Sequence, residues 1–202
     1  MFFFQNSFSQ EYAFDNFYEY KGGNSELTNF YLLNSKDDSY YLNSFNGSKL
    51  IYGKLRDTKR NTIHDYEILN QENSTRFNYQ YSRKFYRDTY GSNFVVETSE
   101  TKIDSTKREI KIIVFKNKRK KTIECEMIIQ VEDSEEPFCN QLLNAFCHGR
   151  LTNTNFKMDK GILSNFKVVF QNGSKGEMKL VKKGKVDISL SLSKEQLKYI
   201  DN

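Results

Sequence analysis

The sequence predicts a mainly β fold: a large curved antiparallel sheet or open barrel, with one amphipathic helix packed across it. Three observations carry this expectation. Apolar and polar residues alternate along most of the chain, most cleanly where Ile123, Cys125, Met127, Ile129 and Val131 oppose Glu124, Glu126 and Gln130. Short turn-forming clusters separate the alternating runs, which favours hairpin neighbours over the long crossovers that parallel strands need. Only Asp133 to Gly149 shows helical periodicity over several turns.

Composition sets the outer bounds. A chain of 202 residues can bury a sizeable core. Its hydrophobic share, 37%, is low, but 17 Phe and 13 Tyr supply large buried areas, and a disordered chain would be poor in both. The net charge of +5 comes from 31 basic and 26 acidic residues spread along the whole chain. A dedicated nucleic-acid binder is usually more lopsided, so nucleic acid is not an expected partner. No apolar run reaches the roughly 18 residues of a transmembrane helix. The three cysteines fit neither a disulfide framework nor a zinc signature.

The first nine residues, with Phe2 to Phe4 followed by Ser7-Phe8-Ser9, look like the tail of a secretory signal, with cleavage expected after Ser9. The alternative is a sheet-edge N-terminus. Residues 10–202 are expected to form a single β-rich domain, periplasmic or secreted if the signal reading holds and cytoplasmic otherwise. Glu11–Tyr20, crowded with aromatics, reads as a strand or extended arm. Strands come next at Asn29–Leu33, Ser39–Phe45, Lys49–Leu55, Thr62–Leu69 and Arg76–Tyr81, with Asn46-Gly47 as a hairpin signal and Asp57–Asn61 as a turn. Phe94–Ile103 pairs with Glu109–Phe115 through Asp104–Lys107, and Lys116–Lys121 turns the chain into Thr122–Glu132. After the helix, Leu163–Gln171, Gly176–Lys182 and Lys185–Leu192 read as a meander turned at Asn172–Lys175 and Lys183-Gly184. Ser193-x-x-Gln196 has the form of a capping box opening a short terminal helix.

The main helix is expected over Glu135–His148, capped by Asp133 or Ser134, with Pro137 in its first turn and Gly149 closing it. At about 100° per residue, Phe138, Cys139, Leu142, Leu143, Phe146 and Cys147 form an apolar half, and Asn140, Gln141, Asn144 and His148 a polar half. An apolar stripe this wide has to be covered by the sheet, or by something held between helix and sheet. Phe138, Leu142, Phe146, Met127 and Ile129 are therefore the candidate ligand-binding residues.

Few other residues suggest chemistry. Cys147 and His148 are adjacent, and helical neighbours project about 100° apart, so they do not form a dyad. Cys125 could reach Cys139 or Cys147 in an oxidising compartment. His64 shares a strand face with Tyr66 and Ile68, reads as a hydrogen-bonded or exposed strand histidine, and has no ligand-like neighbours in spacing. No phosphate loop, nucleophile elbow or zinc-protease helix is present. No enzyme activity, cofactor or metal is expected. Lys118, Arg119 and Lys120, with Tyr86 and Arg87 from an Arg/Tyr-rich segment, are the candidate surface-interaction residues.

The export-like tail, the Tyr/Phe/Asn/Lys-rich composition and the β-meander resemble small uncharacterised secreted proteins of Bacteroidota-type bacteria. The many strands with one strongly amphipathic helix resemble, at fold level, the LolA/LolB-like lipoprotein carriers, which implies an unclosed barrel capped by helices over an apolar cavity. The functional expectation is a non-enzymatic exported binding protein holding an apolar ligand or lipid between sheet and helix. The alternative is a protein–protein interaction module of envelope-assembly or inhibitor/immunity type.

Overall fold

The computed structural model describes residues 8–23, 28–46, 50–71, 74–84, 93–136, 139–146, 151, 154, 156–158 and 160–197. Its strands are β1 (Phe8–Gly22), β2 (Thr28–Leu33), β3 (Tyr40–Asn46), β4 (Ile51–Asp57), β5 (Thr62–Gln71), β6 (Ser74–Lys84), β7 (Val95–Lys102), β8 (Lys107–Phe115), β9 (Ile123–Glu132), β10 (Ile162–Phe170) and β11 (Lys175–Ser193). The helix is α1 (Cys139–Phe146). The fold is mainly β, as the alternation predicts. All eleven strands belong to one antiparallel sheet, in the order β6-β5-β4-β3-β2-β1-β11-β10-β9-β8-β7, which leaves the sheet open. Within it the residues cluster into two compact units, Met1–Tyr18, Asn29–Arg87 and Lys183–Asn202 in one, Glu19–Thr28 and Asp88–Lys182 in the other. The long strands β1 and β11 contribute to both.

In the first unit, hairpin-connected strands bury the even-numbered side of β1 and its cross-strand neighbours. Tyr12, Phe14, Leu32, Tyr40, Leu42, Leu55, Tyr66, Ile68 and Leu192 form one apolar cluster. Register explains the company they keep: Leu42 faces Leu55, Leu55 faces His64, and Gly53 faces Tyr66. The chain turns from β4 to β5 where Asp57 Oδ1 accepts the backbone N–H of Arg60 at 2.8 Å and Asn61 takes a φ of 53°. Beyond β11 the anticipated capping box forms. Ser193 N donates to Gln196 Oε1 at 2.9 Å, and Gln196 N donates to Ser193 Oγ at 3.3 Å. The box opens a turn over residues 194–197, and the rest of the expected terminal helix lies outside the described residues.

In the second unit, β8, β9 and β10 bury Ile112, Val114, Met127, Ile129, Val131, Leu163 and Phe166 on one face, and α1 covers that face with Leu142, Leu143 and Phe146. The Phe146 ring lies 4.8 Å from Tyr20 and 5.3 Å from Phe166. The Tyr20 hydroxyl donates to the Leu163 carbonyl at 2.6 Å, so the polar tip of a buried ring is satisfied.

Two elements differ from expectation. Glu135 and Glu136 lie outside the helix, because the acidic residues of this segment are used elsewhere. Asp133 N donates to Thr106 O at 2.8 Å, Glu136 O accepts from Gly161 N at 2.9 Å, and Glu135 pairs with Lys160. Ser134 Oγ accepts from Glu136 N rather than capping α1. Gln141, placed on the polar half, is buried. Second, Lys183-Gly184 is not a turn: β11 runs unbroken from Lys175 to Ser193. Met178, Leu180, Val186, Ile188 and Leu190 share one parity, so the partly buried side of the strand is the same before and after Gly184. The expectations for Pro137, Phe138, Cys147, His148 and the Tyr86–Arg87 segment lie outside the described residues, as does the Asn46-Gly47 turn beyond Asn46. The cleavage point after Ser9 falls two residues into β1.

Gly161 occupies a position that needs its missing side chain. Its φ is 127°, and a Cβ there would lie 2.4 Å from Val131 Cγ1 and 3.1 Å from Glu132 O. Gly161→Ala is expected to lower unfolding free energy by more than about 2 kcal/mol. Gly184→Ala, with open space around it, is expected to change it by less than about 0.5 kcal/mol. Urea denaturation of both variants checks this, and equal effects would contradict it.

Candidate functional site

The structure places the predicted residues in separate environments. Leu142, Phe146, Met127 and Ile129 all lie in the core of the second unit. They come together as the periodicity anticipates, but protein side chains already fill the space around them: Phe146 is wedged between Tyr20 and Phe166. Phe138 lies outside the described residues. Lys118, Arg119 and Lys120 are exposed at the β8–β9 tip, and Tyr86 and Arg87 lie outside the described residues.

The sequence reading missed a buried polar cluster in the first unit. Asp57 follows Gly53 and Leu55 on the inward side of β4, and its side chain has 0% exposure. Its Oδ2 accepts from Gln10 Nε2 at 2.9 Å, from the Tyr12 hydroxyl at 3.0 Å and from Arg60 Nη1 at 3.0 Å. Gln10 Nε2 also contacts the Tyr12 oxygen. The Tyr12 oxygen is 3.0 Å from Nε2 of His64, which also lies 3.3 Å from Thr62 Oγ1. On its other side His64 Nδ1 is 2.6 Å from Ser82 Oγ, itself 2.7 Å from the Tyr79 hydroxyl. Tyr79 and Ser82 both reach the Gln196 carbonyl, which the capping box orients. With the imidazole proton on Nε2, Nε2–H donates to Tyr12, Tyr12 to Asp57 and Tyr79 to Gln196 O, and the single Ser82 proton is shared between Nδ1 and Gln196 O.

Electrostatics follow from burial. His64 has 0% exposure. Loss of solvent pulls its imidazole down to about 4, against smaller upward pulls from Asp57 and Asp65. The same cause, reinforced by the Asp57 charge, pushes the Tyr12 phenol up. The cluster is thus a neutral imidazole linked through a phenol to a buried carboxylate. Serine, histidine and aspartate in series invite comparison with a nucleophilic triad, but Ser82 is buried and reaches a backbone carbonyl. The arrangement serves to tie strands together. Tyr66, on the same inward face, carries a buried hydroxyl with no hydrogen-bond partner among the described residues.

Three surface features remain. In the second unit a groove of about 690 Å³ is lined by Arg108, Glu100, Asp133, Glu135, Lys157 and Met158, among others. The Arg108 guanidinium is held there by the Lys160 carbonyl at 3.1 Å, with Glu100 at 3.7 Å and Asp133 at 3.8 Å. Acid and base balance across it. A second groove, of about 520 Å³, lies at the β8–β9 tip. In the first unit, the outward face of β3 to β6 carries Phe45, Tyr52, Lys54, Arg56, Asp65, Tyr81 and Arg83 in cross-strand register. Phe45 stacks on Tyr52 at 5.6 Å, Lys54 sits 4.8 Å over the Phe45 ring, and Arg83 pairs with Asp65 at 3.1 Å. Tyr52 is 39% and Tyr81 42% exposed.

Comparison with protein-family models, with curated proteins and with solved structures finds no match for this chain.

The histidine supplies a pH dependence whose sign is fixed. A folded-state value near 4 against 6.5 in the unfolded chain means that the unfolded state binds the extra proton first. Stability is full above about pH 6.5 and is lost as pH falls toward 4, by about 3 kcal/mol in total. Asp15 and Asp37 have carboxyls held below their ordinary value of 3.8, so they titrate beneath this window. In a His148→Ala background, unfolding free energy is expected to drop by about 2 kcal/mol between pH 7.5 and pH 5. A flat profile over that interval would contradict the burial of a neutral His64.

Proposed function

We propose that this chain is a non-enzymatic binding protein that docks another protein on the outward face of β3 to β6. One observation carries the reading: on the side of β3 to β6 that faces away from the apolar cluster, Tyr52 and Tyr81 stand exposed beside the half-buried Phe45, Lys54, Arg56 and Arg83, while Tyr41 and Ile63 of the same side are buried. Tyrosine and arginine are the residue types that most often dominate protein interfaces. They combine large contact area with hydrogen-bonding tips, and tyrosine has little side-chain freedom to lose. Here the strands hold them rigidly from below, because the opposite side of the same residues' strands packs Leu42, Leu55 and Tyr66 into one cluster with Tyr12 of β1. Ordering that face on binding therefore costs little.

The other reading, an apolar ligand or lipid between sheet and helix, would use Leu142, Phe146, Met127 and Ile129. A guest there has to displace Phe146 from Tyr20 and Phe166, and the core would lose contacts that it already has. Protein docking asks for no such rearrangement and is the reading favoured here.

The experiment places a photo-crosslinking residue at Tyr52 in the full chain, expressed in its native cells. A discrete adduct of defined mass is expected, together with at least a tenfold loss of capture in the Tyr81→Ala/Arg83→Ala variant. The same crosslinker at the exposed Lys179 of β11 serves as control. Adducts of equal yield at both positions, or capture indifferent to the double variant, would overturn the proposal.

A further inference from the structure

We infer that the β8–β9 tip is a second binding site, one that takes an acidic peptide segment bearing an apolar side chain. The sequence concentrates five cations here, Lys116, Lys118, Arg119, Lys120 and Lys121, and the structure divides them by task. Lys116 lies 3.7 Å from Glu124, a carboxylate that is almost fully buried, and Lys120 pairs with Glu97. These two are neutralised by the strands they flank. Among the described residues no carboxylate pairs with Lys118 or Arg119, and both line the groove of about 520 Å³.

The rest of that groove matches one kind of guest. Its other lining residues among those described are Asn93, Phe94, Val95 and Asn117, so no described acidic side chain lines it. The turn is fixed rather than splayed. Asn117 Oδ1 accepts from Arg119 N at 3.0 Å, Asn117 O accepts from Lys120 N at 3.1 Å, and Lys120 takes a φ of 52°. Two cations are thereby held beside one aromatic and one aliphatic wall. The volume falls within the usual range of binding pockets, about 300–1,000 Å³, and is far larger than a lone inorganic anion fills. Carboxylates would meet Lys118 and Arg119 while an apolar side chain lies on Phe94 and Val95. Nucleic acid fits less well, because backbone tracking needs a run of unneutralised cations and Glu97 and Glu124 interrupt this one. This site belongs to the second unit and stands whether or not the β3–β6 face binds protein.

The test titrates the full chain into a short fluorescein-labelled peptide of Asp and Glu around one Phe, read by anisotropy. Saturable binding is expected, weakened about tenfold or more by Lys118→Glu/Arg119→Glu and by replacing the peptide's Phe with Ala. The variant Lys183→Glu/Lys194→Glu makes the same change in net charge at exposed positions elsewhere and is expected to weaken binding less than about threefold. Equal losses in the two variants would reduce the effect to overall charge and overturn the inference. So would tighter binding of a single-stranded DNA oligomer, or of phosphatidylserine vesicles, with the same dependence on Lys118 and Arg119. Absence of saturation, or full competition by millimolar inorganic phosphate, would also overturn it.

Discussion

A carboxylate removed from water has to be satisfied from within, and Asp57 places that demand at the centre of the first unit. Its side chain cannot be served by one neighbour. It draws on Gln10 and Tyr12 from β1 and on Arg60 from its own turn. Through Tyr12 the demand passes to His64 on β5, then to Ser82 on β6, and finally to the Gln196 carbonyl beyond β11. Residues 10 and 196 are thus tied into one chain of hydrogen bonds. A one-residue slip of β4 against β5 would turn Asp57 outward while His64 stays inward, and would break the link that Tyr12 makes between them. Apolar packing supplies most of the driving force for this unit. The polar cluster selects one register among those that packing alone would allow.

The second unit depends on different physics. Its core is closed by α1, with Phe146 set into the notch between Tyr20 and Phe166. Helix and sheet contribute complementary shapes and no buried charge cluster of comparable extent among the described residues. The two binding sites proposed above lie on surfaces: the Tyr/Arg face of β3 to β6 and the cationic tip at Lys118 and Arg119. Both have rigid strands beneath them, which is the condition for a surface to bind without a large ordering penalty.

Much of the fold was legible in the residues, because period-two alternation reports burial directly. Met127, Ile129 and Val131 on β9 and the cross-strand pairs of the hairpins follow from it. The apolar side of α1 and the Ser193–Gln196 box were legible for similar local reasons. The features that escaped the sequence depend on distant partners. Asp133 and Glu135 have the composition of a helix start, yet Thr106 and Lys160 claim them. Lys183-Gly184 has the composition of a turn, although the shared parity of Leu180 and Val186 already allowed one strand. His64 could be placed beside Tyr66 and Ile68, but its bonds to Tyr12 and Ser82 depend on registers between strands that a single sequence does not declare. A buried Asp57 on the parity of Leu55 was the available clue to the cluster.

The central claim is that Asp57, Tyr12, His64 and Ser82 act as one unit rather than as separate pairs. A double-mutant cycle of Tyr12→Phe and Ser82→Ala tests it most directly, because the link between their hydroxyls runs through opposite sides of the His64 ring. The account predicts that the two losses of unfolding free energy fail to add, with an interaction of about 0.5 kcal/mol or more at pH 7.5. Losses that add to within about 0.3 kcal/mol would contradict it and reduce the cluster to independent hydrogen bonds.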